Sequence, residues 1–440
     1  MSAQVMAGRN GFAARELAEM GREHIPDWFS TKKHLIYSSP ATLAFNSPGA
    51  EGFGVKRAAL SIPGSVMLVV APGCCGRNTS GITEIPGYKD RFFYLIMDEA
   101  DLVTARHLTK IPRAVREIYD FLAVKPSLVI ILITCVDALL ATDLDKISRK
   151  AEEMVPVPVR PAYMYALTRE GRKPPMVHVR QSLYSLLEER SRRANCVNLL
   201  GYFSHLMDDC ELYEILRDAG VRTIGEISRC ADIDAFYAMG AANFNLVLNQ
   251  EAREAAEDLW ERLQIPYIEL TRLYEIDKVA AQYAALGQAI GFKLQKDYGR
   301  SEAQATVDAL FDQYPALSFA VGEGGNANPF ELALALMRYG FRVPVVYGTP
   351  NEESFNWVAR IAELSPETRI YSNMSPDMLS YDAGQFDVDC AIGKDACWYH
   401  QDAAQVRFNE DVQPYGYAGI RLLFEKIEQA VAAEGRKEPS

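Results

Sequence analysis

No Cys-x-x-C pair occurs anywhere in these 440 residues, although the chain has eight cysteines. The spacing that most often marks zinc and dithiol redox sites is therefore missing. Basic charge is also short. Forty-six Lys and Arg stand against 58 Asp and Glu, giving a net charge of −12. That balance argues against a general nucleic-acid binder, which needs a basic face. No stretch approaches the ~20 uninterrupted apolar residues of a membrane span. The first residues, MSAQVMAGRNGFAARELAEMGREHIPDW, carry charges throughout and lack the apolar core of a secretion signal. A cytoplasmic chain with neither a membrane nor a nucleic-acid partner is expected. In a reducing compartment its cysteines should not form a disulfide framework. Low-complexity segments, short-period repeats, a P-loop Lys-Ser/Thr and a nucleophile–histidine–carboxylate arrangement are all absent.

What is present is a rhythm. Short apolar, β-branched runs alternate with amphipathic stretches almost end to end. Ser65–Ala71, Arg91–Met97, Leu128–Thr134, Val197–Tyr202, Asn243–Leu248, Leu317–Val321, Val343–Tyr347 and Asp389–Ile392 read as strands. Pro112–Ala123, Asp209–Ala219, Gln250–Leu263, Lys278–Asp297, Ser301–Gln313, Pro329–Tyr339 and Glu352–Leu364 read as helices. Such alternation, with continuous apolar strands, implies α/β domains whose parallel sheets are covered on both faces. Three blocks are expected: 1–193, closing near a charged helix at Gln181–Arg193; 194–292; and 293–440, closing in a long helix at Gly419–Ala433.

Open α/β sheets place ligands beyond the carboxyl ends of their strands, so the loops there are the ones to inspect. Two of them carry cysteine. In VMLVVAPGCCGRNTS the strand ends, Pro72 and Gly73 turn the chain, and Cys74, Cys75 and Gly76 follow. In LVIILITCVDALLATDLD, Cys135 closes a strand just before a helix, where N–H groups and the dipole favour a thiolate. Soft thiolates on rigid strand ends suit an iron–sulfur cluster or, less often, zinc. Buried packing is the ordinary role of free cysteine, and spacing alone leaves both readings open.

Cys390, Cys397 and His400 lie close together in DCAIGKDACWYH, as metal ligands, cleft-lining groups or core. Cys196, Cys210 and Cys230 are scattered and read as packed. The glycine-rich Gly322–Pro329, between a strand and a helix, is either an anion site or a plain solvent-facing turn.

The cysteine loops and their flanks resemble the nitrogenase component 1 family. Ala71-Pro72-Gly73-Cys74-Cys75 resembles the family's G-P-x-G-C turn and sets Cys75 in the cluster-ligand position. Glu99-Ala100-Asp101-Leu102-Val103 resembles its E-x-D-[VIL]-V element, and Ile133-Thr134-Cys135 its T-T-C strand end. Further matches are Val197–Gly201, Glu211–Gly220, Asn243–Leu248, Ile265-Pro266-Tyr267, Asp389–Gly393 and Gln413–Gly419, so the likeness runs from about Pro40 to Val431. It implies three doubly wound, Rossmann-like parallel-sheet domains around a cleft.

The resemblance also implies a nitrogenase-like oxidoreductase subunit. Cys75 and Cys135, with Cys74 as a further metal ligand, would hold a 4Fe–4S or larger cluster at an interface with a second component 1 subunit. The assembly would be a homo- or heterodimer or a tetramer. Electrons would come from an ATP-dependent iron protein, with ATP on that partner. A cofactor-assembly scaffold or a non-catalytic partner subunit are the alternatives within the family. Departures matter. Phe45–Ala50 lacks the family's upstream cysteine. Asn249 replaces the cofactor cysteine of the catalytic nitrogenase subunit, and Pro414-Tyr415-Gly416-Tyr417 lacks its histidine. The chain is therefore not expected to be the dinitrogen-reducing subunit.

Overall fold

The computed structural model describes residues 11–30, 40–41, 54–73, 80–83, 87–134, 142–164 and 173–434. Their strands are β1 (Gly11–Ala13), β2 (Ser65–Ala71), β3 (Phe92–Ile96), β4 (Leu128–Ile133), β5 (Val159–Tyr163), β6 (Arg193–Leu200), β7 (Thr223–Gly225), β8 (Ala242–Val247), β9 (Tyr267–Glu269), β10 (Ser318–Val321), β11 (Arg342–Tyr347), β12 (Arg369–Tyr371), β13 (Cys390–Ile392) and β14 (Ala404–Val406). The chain divides into two compact units. One comprises Pro48–His205 with Gly220–Thr271. The other comprises Met1–Ser47, Leu206–Ala219 and Arg272–Ser440.

The first of these units contains two four-stranded parallel sheets, ordered β3-β2-β4-β5 and β7-β6-β8-β9. The unbroken apolar runs of β2 and β4 are explained by burial on both faces. Val66, Leu68, Val70, Val129, Ile131 and Ile133 turn one way, onto Ile111, Val115 and Ile118 of the helix His107–Phe121 and Ile147 of Leu144–Glu152. Met67, Val69, Ile130 and Leu132 turn the other way, into a core shared with Val179 and Leu183 of the helix Pro175–Tyr184. Each such side chain contributes about 1.5–3 kcal/mol by leaving water. These are doubly wound sheets, as the sequence implied.

The charged helix expected at Gln181–Arg193 is corrected. The helix is Pro175–Tyr184, and Arg193 opens β6. Beyond Leu186 and Leu187, both buried, the run Glu188–Arg193 offers no apolar face to bury. Arg192 instead turns its guanidinium onto the carbonyls of Leu263 (3.0 Å) and Gln264 (2.8 Å).

The second unit holds a six-stranded sheet, β1-β12-β11-β10-β13-β14. All its pairings are parallel except that of β1 with β12. Gly11 permits this antiparallel addition. A Cβ there would lie 2.6 Å from the Ile370 carbonyl oxygen. No helix of the described residues is long and apolar enough to cross a membrane.

Candidate functional site

Strand order reverses once in each sheet: between β2 and β4, between β6 and β8, and between β10 and β13. At such a point two successive connections leave on opposite faces, opening a crevice at the carboxyl edge where ligands of α/β folds bind.

At the first reversal β2 and β4 end side by side, with Val70 opposite Ile133. Ala71–Gly73 lead from β2 to Cys74 and Cys75, and Thr134 leads from β4 to Cys135. The three cysteines themselves lie outside the described residues. The strand ends beneath them are fixed by their neighbours. Met97 donates its N–H to the Ala71 carbonyl (3.0 Å), and Met164 donates to that of Ile133 (2.9 Å). The Thr134 hydroxyl is buried and has no hydrogen-bond partner among the described residues.

The neighbouring Glu99–Val103 is a helix capped by Asp98, whose Oδ1 accepts the Asp101 N–H at 2.7 Å. Asp101 is 1% exposed. It accepts from Lys110 Nζ at 2.7 Å and pairs with Arg106 at 3.2 Å. The Lys110 hydrogen bond, above all, holds its carboxyl below the usual range. His107 Nδ1 lies 3.1 Å from the Asp101 carbonyl, and its Nε2 is 3.4 Å from Thr142 Oγ1. Asp101 thus pins the helix Glu99–Val103 to the helix His107–Phe121, a role its E-x-D context did not reveal.

At the second reversal the chain has closed the crevice on itself. Gly201 sits at φ +136°, and a Cβ there would lie 2.7 Å from the Asn249 nitrogen. Asn249 Oδ1 accepts the Glu251 N–H at 3.0 Å, so its side chain serves as a cap. Arg180 donates Nε (2.9 Å) and Nη2 (2.6 Å) to the Gly201 carbonyl and pairs with Glu251 at 2.8 Å. Sequence reasoning missed Arg180. The available signal was a lone cation on the apolar face of Met176–Tyr184.

At the third reversal Glu323 follows β10, and Asp395 stands two residues after Gly393 at the end of β13. The glycine-rich loop grips an anion, but the anion is internal. Glu323 N (2.9 Å) and Gly324 N (3.0 Å) donate to the Asp395 carboxylate. A Cβ on Gly322 would meet Asp395 Oδ1 at 2.0 Å, so glycine is required there. The N-terminus of the following helix, Pro329–Arg338, is capped by Asn328.

Cys390, Cys397 and His400 do not form a metal centre. Cys390 is wholly buried in β13. Cys397 is buried, its thiol donates to the Ala391 carbonyl (3.4 Å), and burial pushes it up to about 12. His400 Nε2 contacts Tyr347 Oη at 2.7 Å, and burial lowers the ring to about 4. No metal-holding group of three or more His, Cys, Asp or Glu exists among the described residues.

Cys196 and Cys210 are buried. Cys230 donates to the Glu226 carbonyl at 3.4 Å, and burial raises its thiol to about 11. A thiol so protonated is a poor metal ligand. Cys196→Ser and Cys230→Ser are expected to leave any iron content unchanged. Anaerobic iron analysis of both variants checks this, and loss of iron in either would make its thiol a ligand.

Residues 51–431 match the model of the nitrogenase component 1 type oxidoreductases. The chain belongs to that family. Among curated proteins, it is 28% identical over 177 residues to the nitrogenase iron–molybdenum cofactor biosynthesis protein NifE of Rhizobium meliloti (strain 1021), covering 39% of this chain and 36% of the relative. To NifE of Nostoc sp. (strain PCC 7120) it is 24% identical over 269 residues, covering 59% and 55%. The chain thus spans about a third to a half of the curated relatives it matches. The solved structure of nitrogenase Cp1 at pH 6.5 superposes with a TM-score of 0.71 at 16% identity, covering 94% of this chain and 97% of that one. Nitrogenase Cp1 at pH 5 gives 0.66 at 14% identity, covering 94% and 93%. The component 1 fold is established. With Asn249 spent on a cap and the histidine absent from Pro414-Tyr415-Gly416-Tyr417, this component 1 chain is not the dinitrogen-reducing subunit.

Proposed function

We propose that this chain is a subunit of a nitrogenase-like reductase that holds an iron–sulfur cluster on Cys75 and Cys135, with Cys74 as a further candidate ligand. A second component 1 subunit, identical or related, completes the cluster. An ATP-dependent iron protein supplies electrons, and ATP binds that partner. The observation supporting this reading is the pairing of the β2 and β4 ends at a strand-order reversal, which leads both cysteine segments from one sheet edge.

The donor set fits such a group. Two thiolates per chain, doubled in a dimer, make the four that one [4Fe–4S] cluster needs. The unpartnered Thr134 hydroxyl adjoining Cys135 can donate to sulfur. The cluster would accept and pass single electrons. The chain's own contribution is rigidity. β2 and β4 are buried on both faces, and Asp101, Lys110 and His107 lock together the two helices that follow β3.

The test is anaerobic purification followed by iron analysis. A brown protein with roughly four irons per dimer is expected. Cys75→Ser should lose the cluster, whereas Cys74→Ser should retain it, because neighbouring side chains on an extended chain diverge. Equal loss in both variants, or roughly eight irons per dimer in the wild type, would overturn the four-thiolate version.

A second reading, a cofactor-assembly scaffold that carries a cluster without turnover, is favoured by the names of both curated relatives, which are cofactor biosynthesis proteins. Substrate reduction dependent on ATP and the iron protein selects the first reading. A loaded protein inert under the same conditions selects the second.

A further inference from the structure

β5 is the outer strand of the sheet β3-β2-β4-β5, and the helices Leu144–Glu152 and Pro175–Tyr184 cover that sheet on opposite faces. Where these helices meet the edge of β5, they and the helix Arg253–Leu263 bound a cleft of about 990 Å³. That is the size of a small-molecule site. Helical spacing turns Asp145, Ser148 and Arg149 into it from one side and His178 and Gln181 from the other.

An outer strand ordinarily presents unpaired main-chain groups to which a strand of another chain can add. Here side chains have taken them. Glu152 Oε2 accepts the Val159 N–H at 3.3 Å, and Arg160 Nη1 donates to the Val159 carbonyl at 2.9 Å. Ser182 Oγ donates to the Pro161 carbonyl at 2.9 Å, and Pro161 has no N–H. The walls are braced as well. Arg160 pairs with Glu152 at 2.7 Å, and Gln181 Nε2 donates to Asp258 at 2.8 Å.

Against this background two wall atoms stand out. Ser148 Oγ and His178 Nδ1 are both shut from water, and neither has a hydrogen-bond partner. Ser148 is 3% exposed. A buried serine inside a helix ordinarily gives its hydroxyl to the carbonyl one turn back, and this one does not. Leaving such groups unsatisfied is unfavourable, and a ligand that bonds them removes the penalty. Asp145 and Arg149, at the exposed rim, have the four-residue spacing at which opposite charges on a helix pair. Neither forms an ion pair among the described residues.

The lining selects the ligand's chemistry. Four cationic and four anionic side chains face the cleft, so its walls favour neither sign. Of the fifteen described residues that line it, only Val159 and Pro161 are apolar, which leaves no broad surface for an acyl chain or a flat ring system. The two unpartnered groups are amphoteric. A hydroxyl both donates and accepts. Burial lowers the His178 pKa, the nearby Asp145 charge opposing, so the ring is neutral at pH 7 with one N–H and one bare nitrogen. Their complement is a molecule without net charge whose own groups donate and accept alike. Neighbouring hydroxyls on a carbon ring do both.

We propose that this cleft binds a small neutral polyol, a monosaccharide or cyclitol. Its hydroxyls bond Ser148 Oγ and His178 Nδ1, while Asp145 and Arg149 take an adjacent pair at the rim. The site stands independently of the iron–sulfur reading. Val159–Pro161 form the first half of β5, whereas the cysteine segments leave the carboxyl ends of β2 and β4.

The experiment is saturation-transfer NMR and calorimetry on the whole protein with D-glucose, D-mannose, D-ribose and myo-inositol. Glucose 6-phosphate and L-glutamate serve as charged probes. At least one neutral probe should bind with a Kd of about 1 mM or tighter. Ser148→Ala and His178→Phe should each weaken that binding about tenfold, the effect of one buried hydrogen bond. His178→Asn, whose amide can stand in for Nδ1, should retain more of it than His178→Phe. Should His178→Phe fail to fold, Ser148→Ala carries the test. Without any probe, Ser148→Ala should melt no lower than the wild type, because it removes an unsatisfied hydroxyl and alanine favours the helix. A lower melting temperature would show the hydroxyl already satisfied in the free protein and would overturn the proposal. So would the binding of no neutral probe, binding that Ser148→Ala leaves unchanged, or tighter binding of either charged probe.

Discussion

Cys135→Ala should yield a folded protein stripped of iron. The expectation rests on what surrounds the residue. β4 ends at Ile133, one residue from Cys135 after Thr134, and every side chain of that strand is buried. Its stability comes from pairing with β2 and β5 and from packing on both faces, none of which needs the sulfur atom. Replacing a small thiol by a methyl group therefore leaves the sheet intact. The proposed cluster would have no such redundancy. If each subunit gives two thiolates to a shared [4Fe–4S] cluster, the change removes two of four ligands in a symmetric dimer. Near-complete loss of iron and visible absorbance is expected under anaerobic purification, with an unchanged circular dichroism spectrum. A variant that keeps its full iron content would sink the assignment of Cys135.

The sheets were legible in the sequence at their central strands, the three-residue β12 excepted. Ser65–Ala71 was bounded correctly because burial on both faces demands an uninterrupted apolar run, which periodicity cannot miss. Of the edge strands only β3 was read, as Arg91–Met97. β5 contains Arg160 and Pro161, β7 is Thr-Ile-Gly and β14 is Ala-Gln-Val, each half solvated or very short. β1 is three residues whose partner lies more than three hundred residues away, and no local signal predicts such a pairing.

The candidate sites divide in the same way. The cysteine turn was singled out by the local mark of proline, glycine and adjacent cysteines, and its cysteines lie outside the described residues. The Glu323–Asp395 pair could not, because its members are 72 positions apart and meet only through strand register. The glycines of Gly322–Gly325 gave half the message. They offered an anion site or a plain turn, and the anion proved to be a carboxylate of the same chain.

Glu211 carries the other large expected effect, on stability. It opens the helix Glu211–Asp218 and is 5% exposed. Its Oε1 accepts the Tyr283 hydroxyl at 2.7 Å and the Tyr417 N–H at 2.6 Å, and its Oε2 accepts the Ala418 N–H at 3.2 Å. Tyr417 and Ala418 belong to the first turn of the helix Gly416–Glu434, whose leading N–H groups have no partner within the helix. The carboxyl thus caps one helix from the start of another. Gly416 makes room for it at φ +59°, where a Cβ would fall 1.8 Å from Glu211 Oε1. Burial raises the carboxyl pKa, which shows how little solvent reaches it. Glu211→Ala would leave a buried phenol and two helix N–H groups unsatisfied, each costing about 1–3 kcal/mol, so a loss of about 3–5 kcal/mol is expected. Glu211→Gln should lose less, since its amide oxygen can still accept from Tyr283 and Tyr417 while its NH2 opposes the Ala418 donor. Urea midpoints of the three proteins decide the matter. A midpoint for Glu211→Ala equal to that of the wild type would show that the two helices hold together without this carboxyl.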